Sequence, residues 1–117
     1  MELVATLGND KESWGQVTGL INKGTWDKIF LLKTKSSEPF PFSENIHVIE
    51  IDSSRPLIDL KQEIITKLKG KFSEFEACLS IASGTGKEHM ALISALLSIP
   101  VGIRLVAFTK NGVEFIN

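Results

Sequence analysis

Two short stretches of this sequence carry residue types that can bind an anion. Ser83-Gly84-Thr85-Gly86-Lys87 follows the apolar run Glu76-Ala77-Cys78-Leu79-Ser80-Ile81 and precedes another, Met90–Leu97. Two glycines let a backbone approach a ligand closely and turn its N–H groups inward. A helix starting there adds free N–H groups and a positive dipole end. Ser83 and Thr85 contribute hydroxyls and Lys87 a charge, a set that suits a phosphate. The plainer reading is a strand-to-helix turn, with glycine for geometry and Ser or Thr for capping. The other stretch is Thr6-Leu7-Gly8-Asn9-Asp10. Gly8 and Asn9 offer a backbone cradle and an amide to a base or ribose, and a turn with a helix cap explains them equally well.

Several better-known sites are excluded. Gly84-Thr85-Gly86-Lys87 is not a P-loop, because Ile81 stands where the first glycine belongs and Glu88 follows the lysine. The turn after the first strand has Gly8 but no G-x-G-x-x-G, which argues against a dinucleotide site. His47, His89 and Cys78 are too few for a His/Cys zinc site, so no metal and no cofactor is expected. A Ser-His-Asp triad is possible by inventory but has no motif. His89 falls in the first turn of the helix after the loop, facing either the site or solvent. Trp14 and Trp26 read as packing residues, Cys78 as a small buried hydrophobe, and Lys67, Lys69 and Lys71 as a solvated helix end.

Thirteen Lys+Arg against fourteen Asp+Glu give a net charge of −1. Generic DNA binding is therefore not expected, since phosphate neutralisation requires a basic excess. A length of 117 residues fits one domain, 1–117. A lone cysteine fits a reducing compartment and a cytoplasmic protein. Met1-Glu2-Leu3-Val4 lacks the basic region of a signal peptide. Met90–Val101 is too short to span a bilayer, so no membrane partner is expected.

The elements that must position these loops are legible as short apolar runs between turn signals. Strands are predicted at Leu3–Leu7, Ile29–Leu32, Ile46–Ile51, Glu76–Ile81, Ile103–Phe108 and Val113–Ile116. Helices are predicted around Trp14, Val17, Leu20 and Ile21, over Leu57–Leu68, and over Lys87–Leu97. Asn9 or Asp10 can cap the first helix, in which Gly15 and Gly19 either weaken the helix or permit close packing. Ser53 or Ser54 can cap the second, with Pro56 in its first turn and Gly70 closing it. Pro100 ends the third. Lys33–Asn45, with Ser36, Ser37, Pro39 and Pro41, reads as a loop. Lys110-Asn111-Gly112 signals a hairpin.

Alternating strands and helices imply an α/β fold: a Rossmann-like three-layer sandwich on a mainly parallel six-stranded sheet, closed by a C-terminal antiparallel β-hairpin. Strands one and four should lie side by side at the switch point, where such sheets bind ligands. Both glycine-containing loops fall there. The third helix is apolar on nearly all sides, which predicts a second cover, a further subunit.

With both loops placed, the sequence resembles the CRISPR-associated Rossmann fold (CARF) family along nearly its whole length. The resemblance rests on Leu3-Val4-Ala5-Thr6-Leu7-Gly8-Asn9, on Val48-Ile49-Glu50-Ile51-Asp52, and most clearly on Leu79-Ser80-Ile81-Ala82-Ser83-Gly84-Thr85-Gly86-Lys87-Glu88-His89-Met90-Ala91-Leu92. It implies a homodimer whose paired loops bind a cyclic oligoadenylate, the messenger of type III CRISPR antiviral defence. Thr6, Gly8 and Asn9 match the first motif, and Ser83, Gly84, Thr85, Gly86 and Lys87 the second. Two departures stand out: the Pro-containing loop Lys33–Asn45 replaces a usual helix, and no effector domain follows. The implied activities are binding alone, as a sensor or sponge, or metal-independent cleavage as a ring nuclease. In the second case Lys87 would stabilise phosphate charge, Ser83 or Thr85 would hold the geometry, and the products would end in 2′,3′-cyclic phosphate. Outside the family, the same loops suit an unrelated nucleotide or phosphorylated metabolite.

Overall fold

Each predicted apolar run becomes a strand or a helix. The computed structural model describes residues 1–34 and 44–117. In chain order these form β1 (Glu2–Leu7), a 3-10 turn (Lys11–Ser13), α1 (Trp14–Lys23), β2 (Lys28–Thr34), β3 (Ile46–Ile51), α2 (Leu57–Leu68), β4 (Glu76–Ser80), α3 (Gly86–Ser98), β5 (Gly102–Thr109) and β6 (Gly112–Phe115). Lys33 and Thr34, expected to open a loop, extend β2 instead. Residues 35–43 of that expected loop, including Ser36, Ser37, Pro39 and Pro41, lie outside the described residues.

The six strands form one sheet in the order β3-β2-β1-β4-β5-β6. All neighbours pair in parallel except β5 and β6, which form the antiparallel hairpin. The fold is the expected α/β Rossmann-like sandwich. β1 and β4 are adjacent, with Leu3 opposite Cys78 and Ala5 opposite Ser80. The connections leaving them run in opposite directions, so their carboxyl ends form the switch point.

Alternation along the strands divides the core. Leu3, Ala5 and Leu7 of β1 face Val17 and Leu20 of α1, together with Trp26, Ile29, Leu31, Cys78 and Val106. Val4, Phe30, Leu32, Ala77 and Leu79 face the opposite layer, where α2 contributes Leu60, Ile64 and Leu68 and α3 contributes Ala91, Leu92, Ala95 and Leu96. Cys78 is buried, and burial raises its thiol pKa. Trp26 is buried with its indole N–H donating to the Leu20 carbonyl at 2.7 Å.

The two glycines of α1 do different things. A Cβ at Gly19 would run into the Phe108 ring, so this glycine is what brings α1 down on β5. A Cβ at exposed Gly15 would meet nothing within 4 Å. Gly15→Ala is expected to stabilise the protein by about 0.5–1 kcal/mol through helix propensity. Gly19→Ala is expected to destabilise it by about 1 kcal/mol, because Phe108 must swing out of its packed position. Urea unfolding midpoints moving in opposite directions would bear this out; equal shifts would refute the packing role of Gly19.

Candidate functional site

The loops after β1 and β4 cross at backbone contact. A Cβ at Gly8 would lie 2.8 Å from the Gly84 nitrogen and 3.0 Å from its Cα. Gly84 itself has φ +100°, in the region that favours glycine. Sequence reasoning read both glycines either as a ligand cradle or as turn geometry; the close crossing of the two loops requires them.

Buried hydroxyls fasten this crossing. The Ser83 side chain is 1% exposed, accepts from the Gly8 N–H at 2.8 Å and lies 2.6 Å from the Ser13 hydroxyl. Thr6, also 1% exposed, donates its hydroxyl to the Ser83 carbonyl. The same carbonyl lies 2.7 Å from His89 Nε2. A carbonyl can only accept, so Nε2 carries the proton and the ring is pinned beneath the loop, half-buried. Trp14 closes the other side, its indole N–H donating to the Gly8 carbonyl at 2.7 Å. Thr6 and Ser83 thus hold the cradle together from inside.

The rim is formed by the start of α3. Thr85 is its N-cap, and a reciprocal capping box links Thr85 and Glu88: the Glu88 N–H donates to Thr85 Oγ1 at 3.2 Å, and the Thr85 N–H donates to Glu88 Oε1 at 2.8 Å. Thr85, Gly86 and Lys87 are exposed. Gly86 and Lys87 occupy the first turn, where N–H groups have no intrahelical partner, and so can receive an acceptor oxygen.

A third loop, which the sequence reading explained by capping alone, joins the site. Neither Ser53 nor Ser54 caps α2; its N-cap is Pro56, with no side-chain cap bond, and Pro56 precedes the first helical turn. The Ser53 hydroxyl donates to Glu88 Oε2 instead. The Ser53 carbonyl accepts from Lys87 Nζ at 2.9 Å. Ser54 turns back on Asp52, its N–H 3.1 Å from Oδ1. Glu88, only 5% exposed, therefore ties the β3–α2 loop to the start of α3. The Thr85-x-x-Glu88 spacing is a capping-box signature readable in sequence; nothing local announces the Ser53 contact.

Asn9 lies on the β2 side of the site, exposed, with Oδ1 accepting from the Thr34 hydroxyl at 3.1 Å. Thr6, Gly8, Ser83 and Gly84 are thus brought together, Thr85–Lys87 form the adjacent rim, and Asn9 stands to one side. Among the described residues no three His, Cys, Asp or Glu side chains are grouped to hold a metal ion, and no helix is long and apolar enough to cross a membrane.

Two carboxylates beside the rim have lowered pKa values. For Asp52 the cause is the Ser54 hydroxyl, then the Ser54 N–H, with Arg55 and Lys87 adding attraction. For Glu63, burial pushes upward, but the Asp52 N–H, the Lys67 ammonium and Arg55 together outweigh it. A depressed folded pKa adds stability that is present above the unfolded value and lost as pH falls through the folded one. Loss should begin near the ordinary glutamate value of 4.5. Glu63→Gln is expected to flatten this acid limb in urea unfolding between pH 7 and about pH 3; an unchanged slope would remove Glu63 from it.

No protein-family model matches the chain, and no curated protein and no solved structure matches it either.

Proposed function

We propose that the chain binds a cyclic oligoadenylate, at a pocket shared by two copies, as a CARF-like module of type III CRISPR antiviral signalling in the cytoplasm. The observation that carries this reading is the exposed start of α3. Thr85, Gly86 and Lys87 are exposed at the β1/β4 switch point; the Gly86 and Lys87 N–H groups lack intrahelical partners, and the Lys87 ammonium sits beside them on the Ser53 carbonyl. Local donors of this kind suit a compact polyanion without an overall basic excess.

The outer edge of α3 supports the pairing. Met90 and Leu97 are 61% and 65% exposed. With Gly86, His89, Ile93 and Ser94 they line a recess of about 430 Å³ next to the rim. A second copy seated there covers this apolar edge and brings a second Lys87 toward the first.

Cleavage is the second reading, and one observation favours it. In the neutral ring of His89, with Nε2 donating to the Ser83 carbonyl, Nδ1 carries the lone pair. This nitrogen would take the proton of the 2′-hydroxyl as its oxygen attacks the adjacent phosphate and the bond to the next nucleotide's 5′-oxygen breaks, then return the proton to that 5′-oxygen, with Lys87 stabilising the charge.

Purified protein incubated with cyclic tetra- and hexa-adenylate separates the readings. Tight binding without turnover supports the sensor. Linear products ending in 2′,3′-cyclic phosphate support the ring nuclease. Binding to neither sinks both, and leaves an unrelated nucleotide or phosphorylated metabolite. A clean monomer with ligand bound at micromolar concentration would remove the shared pocket.

A further inference from the structure

Beside the rim lies a cavity that the glycine loops do not account for. It has a volume of about 820 Å³ and opens beyond the carboxyl ends of β2 and β3, lined by Asn9, Thr34, Ile51, Ser53, Arg55 and Glu63 among others. Small-molecule pockets typically run to about 300–1,000 Å³. Ser53 is shared: it lines this cavity and holds Lys87 at its carbonyl, so cavity and rim are continuous.

Most polar groups in the cavity are already engaged. Glu63 accepts from the Asp52 N–H through Oε1 and pairs with Lys67 through Oε2 at 3.0 Å. Lys67 also donates to the Glu50 carbonyl. Asp52 Oδ1 is taken by Ser54. Two donors retain capacity. The Arg55 side chain is half exposed, and among the described residues its contacts are two long ion pairs through Nε, at 4.0 Å to Asp52 and 3.9 Å to Glu63. Its remaining guanidinium N–H groups are free for an acceptor. Asn9 uses its carbonyl oxygen on Thr34 and keeps both amide N–H groups.

We infer that this cavity is a subsite for one 5′-phosphorylated nucleoside unit. The Arg55 fork takes the phosphate, and the Asn9 amide donates to an acceptor on the base or sugar. A guanidinium matches phosphate oxygens in a bidentate way that an ammonium cannot. Glu63 is engaged on both oxygens and Asp52 on Oδ1, while Glu50 also lines the wall, so the Arg55 fork and the Asn9 amide are the donors that meet the ligand. The inference rests on the proposed reading only for treating Gly84–Lys87 as the adjoining phosphate rim; the cavity can be probed alone.

Adenosine 5′-monophosphate titrated into isotope-labelled protein tests it, read by backbone amide shifts. The amides of Asn9, Ser53, Ser54 and Arg55 are expected to move. Arg55→Ala is expected to weaken binding at least tenfold while melting like the wild type, since its folded contacts are long and exposed. Shifts confined to Gly84–Lys87, an unchanged affinity in Arg55→Ala, or no binding of the mononucleotide would each overturn the subsite. Cyclic tetra-adenylate added to the same samples keeps the two ideas apart. If it fails to bind while the mononucleotide results hold, only the oligoadenylate reading falls.

Discussion

Gly8→Ala is expected to cost about 1–3 kcal/mol of stability, the usual penalty for forcing extra volume into a packed site. It should also weaken ligand binding in whatever remains folded. The added methyl group would sit 2.8 Å from the Gly84 nitrogen and 3.0 Å from its Cα. Both are backbone atoms, so neither moves out of the way as a side-chain tip would. The only outlet is to part the two loops. Parting them stretches the bond from the Gly8 N–H to Ser83 Oγ, and with it the link onward to Ser13. The rim residues Thr85–Lys87 are carried on the loop that moves. Thermal or urea unfolding measures the first effect, and titration below the unfolding midpoint measures the second. Wild-type stability would mean that the loops do not touch as closely as described.

Lys87→Ala is the complementary case, with a large effect on binding and little on folding. Lys87 is exposed, and its ammonium donates to the Ser53 carbonyl, a group that water can satisfy instead. Surface changes of this kind usually stay within about 0.5 kcal/mol. A charge-assisted hydrogen bond to phosphate contributes about 1.5–3 kcal/mol, so affinity for cyclic oligoadenylate is expected to drop roughly 10- to 100-fold. In the proposed pairing each copy would contribute one lysine, so the larger figure applies if both face the same ligand. Unchanged affinity would remove Lys87 from the site. Glu88→Gln is a useful control, because Glu88 acts through Thr85 and Ser53 and lies buried behind the rim.

Much of the architecture could be read from local pattern, for identifiable reasons. Leu3–Leu7 is followed at once by Gly8, and Leu79–Ile81 by Gly84 three positions later, so a central strand and its exit turn are written within a few residues. The adjacency of β1 and β4 followed from chain order and crossover handedness. The site was less legible, because its bonds join residues far apart in sequence. Ser53 looks like a helix cap to any local rule, yet its hydroxyl reaches Glu88, 35 positions later. Thr6 and Ser83 have the chemistry of ligand donors, yet burial turns both toward each other. Residue type points to the candidate site; only packing decides which hydroxyls are buried within it and which groups are exposed. Arg55 was missed for a related reason: its place beside Asp52, Glu63 and the cavity becomes evident only in the folded chain.

The route of the first and last strands has a practical consequence. β1 begins, and antiparallel β6 finishes, at the amino end of the parallel strands: Met1 sits against Asp27 and Glu74, while Asn117 bonds Leu105 and Ile103 near the start of β5. The loops after β1, β3 and β4 all open at the other end. A tether attached at either chain end therefore hangs away from the ligand edge. Surface capture through such a tether leaves the rim and the cavity free to be titrated.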